Sequence, residues 1–125
     1  MLNPLLVFDL FSFLVSDHFS NLKRLKLIGY NSSLDIFFYK IQSPFILDFL
    51  FKNSGETKTV SIVFFGGEPL LNFDLIKVVV DYAKQKGTAC KKEVHFALTT
   101  NGTCLNPPVI NYLNRNKFSV TVSLD

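Results

Sequence analysis

The stretch TVSIVFFGGEPLL, residues 59–71, constrains this chain more than any other. Val60, Ile62, Val63, Phe64 and Phe65 form a dense apolar run that stops at Gly66-Gly67-Glu68-Pro69. A short run of β-branched and aromatic residues closed by glycines predicts a strand buried on both faces. Such strands belong to parallel sheets covered by helices. The GGEP segment is then the loop leaving the strand's C-terminal end, the edge at which α/β proteins bind ligands.

The remainder of the chain is read around that strand. Ser43-Pro44 supplies an N-cap and a first-turn proline for a helix through Phe45, Ile46, Phe49 and Leu50, stopped by Asn53-Ser54-Gly55. Beyond the GGEP loop, Asn72 is placed to cap a second helix over 73–86. Its apolar face carries Ile76, Val79, Val80 and Ala83, and its polar face Lys77, Asp81, Lys84 and Gln85. Gly87 reads as its C-terminal stop. A strand over 94–99 sets Val94, Phe96 and Leu98 on one side and runs into Thr99-Thr100-Asn101-Gly102. Asn106-Pro107 opens a third helix that turns Val109, Ile110 and Leu113 inward. A last strand over 118–124 alternates Phe118, Val120, Val122 and Leu124 with Ser119, Thr121 and Ser123, ending at Asp125. Residues 1–40 read least clearly: 11–15 fit a first strand, and Lys23-Arg24-Leu25-Lys26 reads as a solvated loop.

This order predicts an α/β fold of about four parallel strands with three crossover helices. Right-handed crossovers bring the C-terminal ends of the strands to one rim. Three polar loops meet there: GGEP, TTNG and Ser123-Leu124-Asp125. The rim offers Glu68, Thr99, Thr100, Asn101, Ser123 and Asp125, with main-chain groups made approachable by glycine. Pro69 stiffens its turn and withholds a donor. The set suits a small polar molecule bearing both an ammonium and a carboxylate. It holds no Ser–His or Cys–His pair, so the rim reads as a cofactor site whose chemistry comes from the cofactor. Glu68 is either a general base or a carboxylate that orients a ligand. His95, mid-strand, is expected to be packed, and His18 is given no role.

Composition sets the outer bounds. A chain of 125 residues, 48% hydrophobic with fourteen phenylalanines, suffices for one domain with a core and is not that of a disordered protein. The net charge of +3 is scattered and gives no nucleic-acid footprint. Cys90 and Cys104 are the only cysteines, too few for a disulfide framework and unclustered for a metal, so reduced thiols in the cytoplasm are expected. The apolar N-terminus MLNPLLVFDLFSFLV has no basic lead, carries Asp9 and is too interrupted to cross a bilayer, so neither a signal nor a membrane anchor is expected.

VFFGGEPLLNFDLI, LTTNGT and SVTVSLD, in this order, resemble the radical S-adenosylmethionine (radical SAM) enzymes. Within them they look most like the peptide- and sulfatase-maturing branch that carries a SPASM extension. The likeness is close over 59–125, plausible from 43 and poor over 1–42. It implies a partial (β/α)6 TIM-like barrel, with 1–125 forming a single incomplete domain. It implies that Gly66, Gly67 and Glu68, with Pro69 in the same turn, meet the methionyl amine of SAM. Thr100 and Asn101 would line the pocket, Ser123 would approach the methionyl carboxylate, and Asp125 would lie near the substrate or ribose. The family reductively cleaves SAM at a [4Fe-4S] cluster, and the resulting radical modifies a peptide or protein substrate.

The departures are equally clear. The family holds its cluster with CxxxCxxC after the first strand, because such iron takes soft thiolate ligands. This chain has no such motif. Aligned on Asn21-Leu22, the three cysteine positions carry Ser20, Arg24 and Leu27. The family also continues past its SLD motif, so the last strand is expected to present an open edge. The sequence therefore predicts a radical SAM fragment that is inactive alone. The alternative is a non-catalytic remnant or pseudoenzyme that at most binds SAM. An unrelated α/β interaction domain is the third reading.

Overall fold

The computed structural model describes residues 24–28, 46–65 and 68–124. Strands β1 (Arg24–Ile28), β2 (Thr59–Phe65), β3 (Glu93–Thr100) and β4 (Ser119–Val122) form one sheet in the order β1-β2-β3-β4. Every neighbouring pair is parallel. Helix α1 covers 46–52, α2 is Phe73–Cys90 and α3 is Pro107–Arg115. Each strand lies beside its neighbour in sequence, so successive crossovers step in one direction. Right-handed crossovers that step in one direction leave their helices on one face of the sheet.

The core lies on that face. Val60, Ile62 and Phe64 of β2 and Phe96 and Leu98 of β3 are buried in one cluster with Leu47 and Leu50 of α1. The same cluster takes Ile76, Val79, Val80 and Ala83 from α2 and Val109 and Leu113 from α3. The register explains the layer, since Ile62 pairs with Phe96 and Phe64 with Leu98. Side chains of paired residues in parallel strands leave the same face. The Phe118 ring packs on Phe64 and Phe96 at centroid distances of 5.9 and 5.3 Å.

The opposite face corrects the expectation that β2 is buried on both sides. Ser61 and Val63 are only half-buried and Phe65 is exposed. Beside them stand His95, Ala97 and Thr99 of β3 and Ser119 and Thr121 of β4. The dense apolar run of β2 therefore overstates its burial, because alternate positions alone meet the helices. His95, expected to be packed, lies on this polar face with its side chain 59% exposed, 3.5 Å from the Glu93 carboxylate.

Several boundaries also move. The basic run expected as a loop lies largely in β1, whose RLKLI sequence alternates charged and apolar residues with strand period. The strand expected over 11–15 and the helix start at Ser43-Pro44 lie outside the described residues. The end of α1 is as expected: the Asn53 N–H donates to Phe49 O at 3.0 Å, and Gly55 takes φ +60°.

Helix α2 begins after Asn72 but makes no side-chain cap there, and it does not stop at Gly87. It continues to Cys90 and ends with Lys91 in the left-handed region, where Lys92 N–H reaches Gly87 O at 2.8 Å. Gly87 serves close packing instead: a Cβ there would stand 2.7 Å from Val94 Cγ2 and 2.9 Å from Lys92 O. Helix α3 is capped as its sequence predicts, with Asn106 Oδ1 accepting from Val109 N–H at 3.0 Å. Ile110, expected inward, is exposed, because the contact stripe of this nine-residue helix is filled by Val109 and Leu113 one turn apart. Strand β4 is shorter than 118–124 and forms an edge of the sheet.

Candidate functional site

Parallel strands carry their C-terminal ends to one rim, and there the described segments are tied together around Glu68. Glu68 follows β2 and caps a 3-10 turn, Pro69–Asn72, with Pro69 at its first position. Its carboxylate accepts Leu70 N–H at 3.2 Å, a local capping bond. The other bonds cross to β3. Thr100 Oγ1 lies 2.9 Å from Oε1 and 2.7 Å from Oε2, and Asn101 N–H donates to Oε1 at 2.8 Å. Glu68 is buried, so these donors replace the water it gives up. A carboxylate has about four acceptor positions. Among the described residues, Leu70, Thr100 and Asn101 supply three donors to it.

Thr100, the last residue of β3, is 1% exposed. Its hydroxyl donates to Glu68 and accepts Gly102 N–H at 3.1 Å. Its carbonyl accepts Ser123 N–H at 2.8 Å. One residue thus touches all three loops: that of Glu68, its own, and the segment leaving β4. Gly102 turns the middle loop with φ +84°, a conformation that favours glycine.

Asn101 is exposed, and its Oδ1 is held by Thr103 N–H at 2.9 Å and Thr103 Oγ1 at 2.7 Å. That local turn leaves the two Nδ2 protons as its donors toward a ligand. Ser123 is half-buried, and its backbone is fixed by Thr100. The structure thus brings Glu68, Pro69, Thr100, Asn101 and Ser123 to one rim. Gly66, Gly67 and Asp125 lie outside the described residues. The sequence did not show that Thr100 and Glu68 are bonded to each other. The polar Thr at the inward position after Phe96 and Leu98 was its one signal, since a buried hydroxyl at a strand end needs a partner.

A [4Fe-4S] cluster finds no ligand set in this chain. Cys90 closes α2 and Cys104 follows β3, so the length of that strand, about 25 Å at its usual rise, separates them. The alignment that set Arg24 and Leu27 at cysteine positions is also overturned. Both lie within β1, paired with Ser61 and Phe64, whereas a cluster loop follows its strand. Ser20 lies outside the described residues. Among the described residues no group of three or more His, Cys, Asp and Glu side chains is placed to hold a metal ion. None of their helices is long and apolar enough to cross a membrane. A cavity of about 480 Å³ lined by Lys84, His95, Arg115 and Lys117 lies toward the N-terminal ends of β3 and β4, away from the rim.

No family model matches the chain. Over 79 residues it is 34% identical to an uncharacterized protein of Methanocaldococcus jannaschii, a match covering 63% of this chain and 26% of that protein. Over 70 residues it is 35% identical to the radical SAM cyclopropyl synthase TigE of Paramaledivibacter caminithermalis, covering 56% of this chain and 14% of the synthase. The chain thus matches about a quarter of the length of one curated relative and about a seventh of the other.

Proposed function

We propose that this chain is part of a radical SAM enzyme core, an arc of a (β/α)6 barrel whose C-terminal rim takes the methionine end of SAM. The observation that carries this reading is the joining of the Glu68, Thr100 and Ser123 segments by hydrogen bonds at one sheet edge. The partial similarity to a radical SAM synthase supports the same family. The barrel arc is supported by the sequential strand order and by the polar face carrying Ser61, His95, Thr99, Ser119 and Thr121. In a closed barrel that face turns inward, toward a ligand on the rim.

In this reading the main chain at Gly66 and Gly67 and the Glu68 carboxylate receive the methionyl ammonium. The Nδ2 donors of Asn101 and the Ser123 hydroxyl suit its carboxylate, and the motif resemblance assigns Asp125 to the ribose or substrate. Bound at a reduced [4Fe-4S] cluster, SAM supplies a carbon-centred radical. The residues of this chain bind and orient SAM but hold no cluster, so no reductive cleavage is assigned to the chain alone. The maturase branch with its SPASM extension, a peptide or protein substrate and a cytoplasmic setting are the finer parts of the proposal, and they rest on the motif resemblance and the cysteine content.

The cysteine pattern favours one second reading, a non-catalytic remnant that at most binds SAM. Two measurements separate the cases. Calorimetry with SAM is expected to give a saturable heat, and the absence of one discards the SAM site. Anaerobic incubation with iron and sulfide is expected to leave the protein colourless and SAM intact. A stable brown protein that cleaves SAM would overturn the conclusion that the chain holds no cluster.

A further inference from the structure

We propose that Thr100 is the positioning residue of the rim: it locks the three loops into one cooperative unit, so that a ligand held by one loop is held in register by all. This rests on the SAM-binding reading only for the identity of the ligand. Thr100 is buried and uses its hydroxyl and its carbonyl on the protein itself, so it acts through its neighbours. The hydroxyl proton goes to Glu68, a hydroxyl lone pair takes Gly102 N–H, and the carbonyl takes Ser123 N–H. Glu68 closes the circuit through Leu70 and Asn101.

The arrangement is directional. A threonine hydroxyl has one proton to give, and the Glu68 carboxylate claims it. The hydroxyl oxygen then faces Gly102 N–H as an acceptor, which fixes the turn beyond Asn101. Bonds that share a group polarise one another in a low-dielectric setting, and their loss is felt beyond the pair removed. The Asn101 Nδ2 donors, the Glu68 carboxylate and Ser123 are therefore set in mutual geometry before a ligand arrives. Such preorganisation appears as affinity.

The test uses the full chain, its Thr100→Val and Thr100→Ser variants, and native-state hydrogen exchange alongside SAM calorimetry. In the unaltered protein the amides of Leu70, Asn101, Gly102 and Ser123 are expected to open with one free energy and one denaturant dependence, as a single cooperative unit does. In Thr100→Val, protection at Leu70, Asn101, Gly102 and Ser123 is expected to fall together and SAM affinity to drop by about tenfold or more, with circular dichroism unchanged. Thr100→Ser keeps the hydroxyl and is expected to stay near the parent in both readouts.

Three results overturn the proposal: separate opening free energies for the four amides, loss in Thr100→Val confined to Gly102, or Thr100→Ser as impaired as Thr100→Val. The first needs no variant, so it decides the matter even if Thr100→Val does not fold. If the unaltered chain binds no SAM, the ligand assignment falls while the exchange data still decide the coupling.

Discussion

Asn101 N–H donates to the Glu68 carboxylate at 2.8 Å, joining residues 33 positions apart in the chain. A charged acceptor makes this one of the stronger hydrogen-bond types. Two of the donors on Glu68, Leu70 and Asn101, are backbone groups that cannot rotate away. In Glu68→Gln one carboxylate oxygen becomes an NH2 donor, which must then face Leu70 N–H or Asn101 N–H. A buried donor left unsatisfied costs about 1–3 kcal/mol. We expect Glu68→Gln to lower the free energy of unfolding by that amount, read as a lower urea midpoint at unchanged m-value, although the two side chains are nearly the same size. An unchanged midpoint would mean that the tie between β2 and β3 does not contribute to stability.

Gly87 gives an opposite sign from the one helix propensity suggests. Replacing an interior helix glycine by alanine ordinarily gains about 1 kcal/mol. Here the added methyl would meet Val94 Cγ2 at 2.7 Å and Lys92 O at 2.9 Å. The first contact is a side chain and can shift, but the second is backbone in the turn that ends α2. Overpacking of this kind costs about 1–3 kcal/mol. We expect Gly87→Ala to lower the thermal midpoint. Adding Val94→Ala should recover less than the whole loss, because the clash with Lys92 O persists. A rise in the midpoint on Gly87→Ala alone would refute the packing argument.

Gly87 also marks where the sequence stops being legible. A glycine at the end of an amphipathic stretch carries the same letter whether it terminates a helix or lets a strand approach one. The backbone of Lys91, at φ +56°, settles the matter, and no propensity predicts a lysine there. Elements with redundant local signals were readable: α3 has its Asn106 cap, its proline and its two inward apolar residues, and β3 has strict alternation. Strand β1 was not, although RLKLI alternates and a glycine follows it in the sequence, because Arg24 and Lys26 join Lys23 in what reads as a basic, solvated run. At the rim the residues could be named from the sequence but their bonds could not. Whether Glu68 offers its carboxylate to a ligand or to Thr100 depends on two loops 32 residues apart.

The contact between α1 and α2 makes stability respond to pH at both extremes. Tyr82 Oη donates to Asp48 Oδ1 at 2.6 Å, and Lys86 Nζ stands 3.2 Å from the same oxygen. The Tyr82 hydrogen bond first, and then Lys86, holds the Asp48 carboxyl below its usual value near 3.8. The same hydrogen bond pushes Tyr82 above its usual 10.0, and Asp48 pushes Lys86 above 10.5. A depressed acid contributes stability above its unfolded pKa and loses it as pH falls through the folded one. A raised Tyr or Lys contributes below its unfolded pKa and loses that as pH rises through the folded one. We therefore expect the difference in stability between the parent and Tyr82→Phe to be flat from about pH 5 to 9 and to shrink below about pH 4 and above about pH 10. Urea titrations across this range would show it, and a difference that does not vary with pH would exclude the Tyr82–Asp48 bond as its source. The effect is modest because Asp48 is 48% exposed and the pair is screened by solvent.

Strand β4 makes the last prediction. It ends the strand order, and Val120 and Val122 are 41% and 46% exposed, with Leu124 at 92%. Their registers with Leu98 and Thr100 place the two valines on the same face as the buried residues of β3, beyond the cover of α3. An edge with unpaired main-chain groups and apolar side chains templates pairing with other chains. Charged side chains on such strands are the usual safeguard. The purified chain is thus expected to self-associate with rising concentration, and Val120→Lys to suppress this with little change in the thermal midpoint, since the position is half-solvated. Light scattering against concentration measures the first and calorimetry the second. Equal scattering from both proteins would place the association elsewhere, and a large fall in midpoint would mean that Val120 is part of the core after all.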